Sequence, residues 1–412
     1  ISLSAYMALA PGAPLIDCVT AWEGNPGFGY SDPDGVWTYT PEFWYRAYND
    51  GGYRYILISE KEIPGWTRSP ARIRGRWFGV QESRVIGGVE KNILVPKQGM
   101  PAKGIAMSTM HTYAKNAGMT LDDIYTYDAD TVLAAVEFAT MNMQNAVGRG
   151  VDDVYRQNND LIQADSTGST VKIIKAAAPA HLIPGAIMDI GTSNGGTQVG
   201  SFVVGAVEDD PEDGTLSIVT LTTDGMTPAN VTVTAAHYWS IHGMYNGMDP
   251  DLGGKSGYIG ANGKSNAYYR GAVFHANFYR YVLGAYRQKD TGHIWISDAP
   301  DDYDALNTGA HIDTGLVLPQ AADGAAYSGY IKTLGEYPGL AAAPFCIEGG
   351  GSSANPVGDY VYVPALETGN TVLMVGGSAD IGVSAGRFYG DWCGASGYAN
   401  WYISVCPVLK NP

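Results

Sequence analysis

The segment Tyr268-Tyr269-Arg270-Gly271, followed closely by Ala276-Asn277-Phe278-Tyr279, opens a C-terminal region of unusual composition. From Tyr268 to the end of the chain there is little helical periodicity, while Gly, Tyr and Asn are abundant. A long region with few regular elements must be held by loops that pack on one another, which is uncommon. This texture predicts a loop-rich fold in the C-terminal part.

Two helices are predicted upstream of that region. The first has Ser108 as its N-cap and ends at Gly118, with Met107, Met110, Ala114 and Ala117 at helical spacing. The second begins near Asp128 or Asp130 and ends at Gly148. Apolar residues surround much of it, so we expect it to be deeply buried. Its main stripe is Val132, Val136, Ala139, Met143 and Val147.

Short strands are predicted in two places. Near the N-terminus, Val36–Tyr39, Phe43–Arg46 and Tyr53–Ile58 indicate strands and a hairpin. Residues 160–243 hold five β-rich runs divided by Gly, Asp and Asn turns, which is typical of a small barrel or sandwich. The runs are Thr170–Lys175, Ala186–Ile190, Ser201–Glu208, Leu216–Thr222 and Val231–Ala235.

These elements predict an α+β protein in three parts. Residues 1–159 carry strands and two helices, residues 160–243 form an inserted all-β module, and residues 244–412 complete the first part. We expect the segments on either side of the insertion to form one fold, because the helix pair and the Tyr268 segment lie on opposite sides of it.

Composition excludes several functions. The 412-residue chain has a formal net charge of −16 and no basic run, which argues against nucleic acid or an anionic membrane as partner. No apolar stretch reaches membrane-spanning length. The chain contains 28 Tyr but only 9 Phe, an excess that is typical of contact surfaces, although Tyr hydroxyls can also satisfy buried backbone. A start at Ile1, without a signal peptide, suggests a processed or excised portion of a longer protein.

Patterns for metal or catalytic chemistry are weak. The four cysteines are scattered, and we expect free, buried thiols rather than a bridge between Cys393 and Cys406. The seven histidines form no zinc motif, and no nucleophile elbow is present. His237 and His242 are interpreted as packing or hydrogen-bonded residues. A loop with Asp298, Asp301, Asp302 and Asp304 is the best calcium candidate, but it lacks calcium-loop spacing, so a solvated turn is favoured and no metal or cofactor is expected.

Several short motifs, in order along the chain, resemble one family. The Tyr268 segment is similar to the Y-R-G-x-E-N-x-x-G-N-x-W segment of formylglycine-generating-enzyme-like C-type lectin folds. Gly376–Ser378 and Ala385–Phe388 resemble the G-G-S/Y and A-G-x-F stretches before the last strands, and Ile403–Lys410 resembles the terminus. The same motifs mark the variable proteins of diversity-generating retroelements, including the phage major tropism determinant, and related prophage tail proteins. The resemblance covers roughly residues 15–157 and 244–412.

Departures from this pattern bear on chemistry. The sulfatase-modifying enzymes of the fold use two cysteines in the segment before the last strands, and Ser384–Gly390 contains none. The E-P-N, Q-P-D and W-N-D signatures of calcium-dependent sugar binding are also missing. The resemblance therefore implies a C-type-lectin-like fold without copper-dependent oxidation and without that kind of monosaccharide site.

The resemblance also implies a binding surface in residues 376–404, the segment that retroelements rewrite at adenine positions. A rigid fold that presents Tyr, Ser, Asn and Asp on irregular backbone suits recognition. Gly377, Gly386, Phe388, Trp392 and Trp401 are interpreted as scaffold, and an ordinary loop-rich sheet edge remains the alternative. The expected ligand-binding residues are Ser378, Asp380, Val383, Ser384, Tyr389, Asp391, Cys393, Ser396, Tyr398, Asn400 and Tyr402.

The sequence therefore predicts a non-enzymatic receptor-binding protein of a phage or prophage. Its expected partner is a host-cell surface receptor, a protein or a glycan, and the resemblance is compatible with a homotrimer. The expected location is the virion, at a tail tip or fibre, or the bacterial cell surface. Two alternatives stay open: an oxidase of the formylglycine-generating type, and a purely structural virion protein.

Overall fold

The computed structural model describes most of the chain. The described residues are 1–11, 13–51, 53–148, 155–177, 182–248, 268–275, 277–298, 303, 306, 309–354, 357–378 and 380–410. Within these ranges the protein is mixed, strand-rich and loop-rich, which confirms the predicted α+β class in its coarse form. The α-helices there are α1 (Leu3–Met7), α2 (Met107–Asn116), α3 (Ile124–Phe138) and α4 (Met143–Val147).

The second predicted helix is two helices. Ala139 has a left-handed backbone conformation, with φ of 50°, and ends α3, while the Asn142 side chain caps α4. Because an L-residue in that conformation cannot continue a right-handed helix, the apolar stripe crosses a turn. α3 begins at Ile124, earlier than predicted, and the side chain of its N-cap Asp123 accepts a hydrogen bond from Thr126 N. The cap of α2 is Ala106 rather than Ser108. Of the predicted stripe, Val132, Met143 and Val147 are buried as expected, whereas Val136 is half-buried and Ala139, in the turn, is exposed.

The N-terminal part contains the predicted hairpin. β2 and β3 pair antiparallel from Trp44 opposite Ser59 to Asp50 opposite Tyr53, and β4 lies on the other side of β2. A second hairpin joins β6 to β7, against which α2 packs. The strands are β1 (Trp37–Thr40), β2 (Phe43–Asp50), β3 (Tyr53–Ser59), β4 (Thr67–Ser69), β5 (Arg72–Gly75), β6 (Val80–Ile86), β7 (Val89–Val95) and β8 (Thr120–Leu121).

The inserted segment contains all five predicted strands. Six strands form an antiparallel sheet in the order β11-β14-β13-β12-β16-β9, and β10 pairs with β15. One hydrophobic cluster draws its buried residues from Ile162 to Met244, one residue past the predicted boundary, and includes Trp239. The strands are β9 (Tyr155–Arg156), β10 (Ser166–Gly168), β11 (Thr170–Ile174), β12 (Ala186–Gly191), β13 (Gly200–Asp209), β14 (Leu216–Thr222), β15 (Val231–Val233) and β16 (Tyr238–Met244).

The C-terminal part is more regular than the sequence indicates. A nine-stranded sheet runs β21-β20-β19-β25-β26-β24-β22-β23, with β27 parallel to β19, so the expectation of few regular elements there is wrong. Its central strands are covered on both faces and bury Arg280, Arg287 and Arg387, which removes the apolar–polar alternation that marks a strand.

Among the described residues, the C-terminal part contains twelve strands. The strands are β17 (Tyr268–Tyr269), β18 (Ala272–Val273), β19 (Tyr279–Gln288), β20 (His293–Ile296), β21 (Ile312–Val317), β22 (Tyr327–Leu334), β23 (Cys346–Gly349), β24 (Tyr360–Val363), β25 (Asn370–Gly376), β26 (Gly386–Asp391), β27 (Ile403–Ser404) and β28 (Pro407–Lys410).

The two ends of the chain share a sheet and a core. β28 lies between β5 and β8 in the order β1-β5-β28-β8. Two hydrophobic clusters combine residues from before the insertion with residues from after it, such as Tyr127 with Phe388 and Met110 with Leu409. A smaller cluster joins Phe78 and Phe278 to Ile187 of the inserted module. The boundaries at 160 and 243 stay a prediction.

Deletion of residues 161–242 tests these boundaries. Pairing of β9 with β16 sets Tyr155 opposite His242, so a short linker can close the gap. We expect the remainder to unfold cooperatively, because its own clusters stay intact, but at a lower temperature than the full chain, because Phe78 and Phe278 lose their cover. Thermal unfolding followed by circular dichroism measures this. A remainder without a cooperative transition would contradict the three-part division.

Candidate functional site

Strand β26 lies in the middle of the nine-stranded sheet, between β25 and β24, and all its residues are buried. Tyr389 is 4% exposed, and its hydroxyl is 3.0 Å from that of Tyr279. Asp391 is also buried and accepts a hydrogen bond from Cys393 N at 2.8 Å. The expected exposure of Tyr389 and Asp391 is therefore wrong. Partner strands pair with both edges of β26, and packed side chains cover its faces.

Gly386, in the stretch that resembles the A-G-x-F motif, has a packing role. A Cβ at this position would collide with the carboxylate of Asp359. That carboxylate accepts hydrogen bonds from Phe388 N and from Gln144 Nε2, each at 2.7 Å. Burial is the main cause that raises the pKa of Asp359 to about 7. The glycine thus lets one buried carboxylate join β26 to α4.

The loop between β25 and β26 divides the expected binding residues. Ser378 is buried, contrary to expectation, and its hydroxyl donates to the exposed carboxylate of Asp380. Val383 is 52% exposed, and Ser384 beside it is half-buried. The carbonyl of Val383 accepts a hydrogen bond from Gln144 Nε2 at 3.3 Å, which places these two residues beside α4.

The loop from 392 to 402 is tied to the rest of the fold by its backbone. Its carbonyl oxygens accept hydrogen bonds from the start of α2 and from strands β19 and β25, and Trp392 is fully buried. A loop held in this way presents its side chains from a fixed frame. The bonds are Ser108 N to Ser396 O at 3.1 Å, Gly104 N to Asn400 O at 2.9 Å, Tyr279 N to Tyr402 O at 2.8 Å and Val372 N to Gly394 O at 2.8 Å.

Half-exposed aromatic rings cluster on this loop. The hydroxyls of Tyr398 and Tyr402 are hydrogen-bonded to each other, and Asn400 Nδ2 donates to Tyr398 Oη at 3.2 Å. Tyr402 also meets the Trp401 ring edge to face, with centroids 5.0 Å apart. Half-buried Cys393 packs below them against the core. We call the outward-facing set the tail surface: Asp380, Ser396, Tyr398, Asn400, Trp401 and Tyr402.

Trp401 is the residue that the sequence interpretation missed, because it was assigned to the scaffold. It is half-exposed, and its ring is stacked on His242 with centroids 4.0 Å apart and planes 23° apart. His242 is a buried residue of β16 whose Nδ1 lies 2.5 Å from Asp189 Oδ2, which confirms the hydrogen-bonded interpretation of this histidine. Lys103 Nζ, 2.7 Å from Asp189, completes the group. The inserted module therefore contacts the tail surface through the stack of His242 on Trp401.

Negative charge lies at and beneath the tail surface. Burial raises the pKa of Asp391 to about 6, and the nearby carboxylate of Asp380 adds to this. The charge of Asp380 also reaches Tyr279 and Tyr389, whose pKa values are raised mainly by burial. Asp380 thus borders the same patch as the loop from 392 to 402, and a partner that offers hydrogen-bond donors fits this surface.

Replacement of Asp391 by asparagine is expected to change the pH dependence of stability. The pKa of Asp391 in the fold, about 6, lies above its ordinary value of 3.8, so the fold favours the protonated form. The raised pKa of Asp391 therefore contributes fully to the free energy of unfolding below about pH 4, and this contribution is lost as the pH rises through 6. Urea unfolding of both proteins across this range measures the difference. We expect the wild type to lose more stability than Asp391→Asn; parallel curves would contradict this.

The described residues hold no group of three or more His, Cys, Asp or Glu side chains that could bind a metal ion. All four cysteines are free, as expected, and all but Cys393 are buried. The proposed calcium loop falls mostly outside the described residues, which include Asp298 but not Asp301, Asp302 or Asp304. Among the described residues, no helix has the length and hydrophobicity that crossing a membrane requires.

No protein-family model matches the chain, and no curated protein is significantly similar to it.

Proposed function

We propose that this chain is a ligand-recognition protein with a C-type-lectin-like fold, and that it attaches a phage or prophage particle to a host cell. The tail surface is the binding site, and the ligand is a protein or glycan of the bacterial envelope. The protein acts on the virion or at the cell surface, as a homotrimer by the family resemblance, and it catalyses no reaction.

One observation carries the proposal: Tyr398, Trp401 and Tyr402 form a half-exposed aromatic cluster on a loop whose backbone is fixed to α2 and β19. Large rigid rings give contact area with little loss of conformational entropy on binding. Asn400, Ser396 and Asp380 surround the rings with groups that donate and accept hydrogen bonds. Aromatic anchors with a polar rim are the usual composition of a recognition surface.

A direct test measures attachment to whole bacteria. Fluorescently labelled protein is mixed with a panel of intact bacterial strains, and flow cytometry records the bound fraction. We expect saturable binding to a subset of strains, with competition by the unlabelled protein. Absence of saturable binding to any strain that the parent particle infects would contradict the proposal, and would favour a structural virion protein.

The flanking DNA provides a second test. A reverse-transcriptase gene and an imperfect template repeat of the codons for 376–404 are expected nearby. Copies that have been diversified should differ at tail-surface positions such as Asp380, Asn400 and Tyr402, and keep buried Phe388 and Trp392. Formation of formylglycine from a cysteine-containing peptide in the presence of copper would instead show an enzyme.

A further inference from the structure

A cavity of about 230 Å³ is lined by residues that do not belong to the tail surface. It is enclosed by the segment from Val19 to Gly29, by β1, and by the turn between β17 and β18. Sites for drug-sized ligands usually measure about 300–1,000 Å³, so this cavity suits a single small ring. It contains aromatic side chains, carboxylates and two guanidinium groups.

Arg76 is a cation without a carboxylate partner among the described residues. Its Nη1 donates to Gly271 O at 2.9 Å, its Nε is buried without a hydrogen-bond partner, and the group lies over the rings of Tyr30 and Tyr268. The chain carries 41 acidic residues but only 25 basic ones, so an arginine without a carboxylate partner is unexpected. The unpaired guanidinium therefore fits an anionic group brought by a ligand.

Neighbouring cations and carboxylates in this region already have partners. Arg270, on the opposite wall, forms an ion pair with Glu137 at 2.9 Å, while Arg84 is paired with Asp34. Glu23 accepts a hydrogen bond from Tyr30, and Asp32 accepts one from Asp34 N at 2.8 Å. Of the two arginines that line the cavity, Arg76 is therefore the one without an ion-pair partner among the described residues.

Aromatic walls define the rest of the ligand. Trp22 is 44% exposed and meets Tyr39 edge to face, with centroids 6.1 Å apart, and half-exposed Trp37 lies on the same cavity. Flat rings of this kind pack against the apolar C–H face of a sugar ring. Thr38 and Asp32, which also line the cavity, offer hydrogen-bonding groups to its hydroxyls.

We propose that this cavity binds a single hexuronic acid residue, with its carboxylate on Arg76 and its ring face against Trp22 and Trp37. The ligand class follows from the combination of one unpaired guanidinium, flat apolar walls and polar side chains in a space of this size. This site would give the protein a contact with acidic polysaccharide that is independent of the tail surface.

Isothermal titration calorimetry with methyl β-D-glucuronide tests the site, with methyl β-D-glucoside as its neutral twin and sodium acetate as the bare anion. We expect a millimolar Kd for the glucuronide. The affinities for the glucoside and for acetate should be lower by about tenfold or more, because charge-assisted hydrogen bonds and ring packing must act together. Equal affinity for glucuronide and glucoside, equal affinity for glucuronide and acetate, or no glucuronide binding at about 20 mM would overturn the proposal.

Matched variants assign the interaction to named residues. Arg76→Gln should lower glucuronide affinity about tenfold or more, whereas Arg46→Gln, at an exposed arginine of β2, should leave it unchanged. Trp22 is 44% exposed, so Trp22→Ala should keep the fold, and it should also weaken glucuronide binding. The test therefore does not depend on the folding of Arg76→Gln alone. Unchanged affinity in Trp22→Ala or in folded Arg76→Gln would contradict the assignment.

Discussion

Tyr389→Ala is expected to lower the free energy of unfolding by about 3–5 kcal/mol, because the change empties a space in the middle of the sheet. Tyr389 is 4% exposed in central strand β26, and its ring packs against Tyr279 with centroids 5.4 Å apart. Truncation also leaves the Tyr279 hydroxyl without this partner in a buried site. Chemical denaturation measures this loss, since the midpoint and slope of each unfolding curve give the free energy of unfolding.

Tyr389→Phe is the matched control. It keeps the ring and removes only the hydroxyl that lies 3.0 Å from Tyr279, so we expect a loss of about 1 kcal/mol. If Tyr389→Ala were as stable as the wild type, Tyr389 would be a surface residue, and the position of β26 in the sheet would be wrong. The sequence analysis places Tyr389 among the exposed binding residues, where truncation would abolish attachment and spare stability, and its burial reverses that expectation.

Trp401→Ala is expected to weaken cell attachment by about thirtyfold or more while the protein stays folded. Removal of an aromatic anchor at the centre of a recognition surface typically costs about 2 kcal/mol or more of binding free energy. Trp401 is half-exposed, and its loss removes the stack on His242 and the edge contact with Tyr402 but leaves the loop backbone bonds in place. We expect a stability loss of about 1 kcal/mol, near the average for point mutants.

Attachment of Trp401→Ala is measured by flow cytometry beside its thermal unfolding. Tyr53→Ala is the control, because Tyr53 is 71% exposed on the β2–β3 hairpin and is not part of the tail surface. It should change neither attachment nor stability by more than about 0.5 kcal/mol. Equal loss of attachment in both variants, or full attachment by Trp401→Ala, would show that the tail surface is not the binding site.

Local patterns were sufficient for many elements. The β2–β3 hairpin follows from β-prone residues on either side of a Gly-rich turn, and strand β14 has the predicted bounds, Leu216–Thr222. The apolar spacing of Met107, Met110 and Ala114 placed α2. These signals depend on neighbours within a few residues, which the sequence contains in full.

Composition pointed to the segment that carries the tail surface, but it did not separate the exposed residues of that segment from the buried ones. Tyr398, Asn400 and Tyr402 lie on the surface, whereas Ser378, Tyr389 and Asp391 do not. Tyr, Ser and Asp are polar enough to occur at surfaces, so residue type alone cannot separate them. The difference arises because β24 and β25, from earlier in the chain, pair with both edges of β26.

The sequence by itself determined α2, the β2–β3 hairpin, the five strands of the inserted segment and the presence of an aromatic, polar tail, but not the nine-stranded sheet of the C-terminal part. Only the tertiary structure decided which tail residues face outward. It stacked Trp401 on His242, and it placed Arg76 among aromatic rings with no carboxylate partner in the described part of the chain. The physical reason is that secondary structure follows from short-range backbone and side-chain preferences, whereas burial and pairing follow from contacts between segments far apart in the chain.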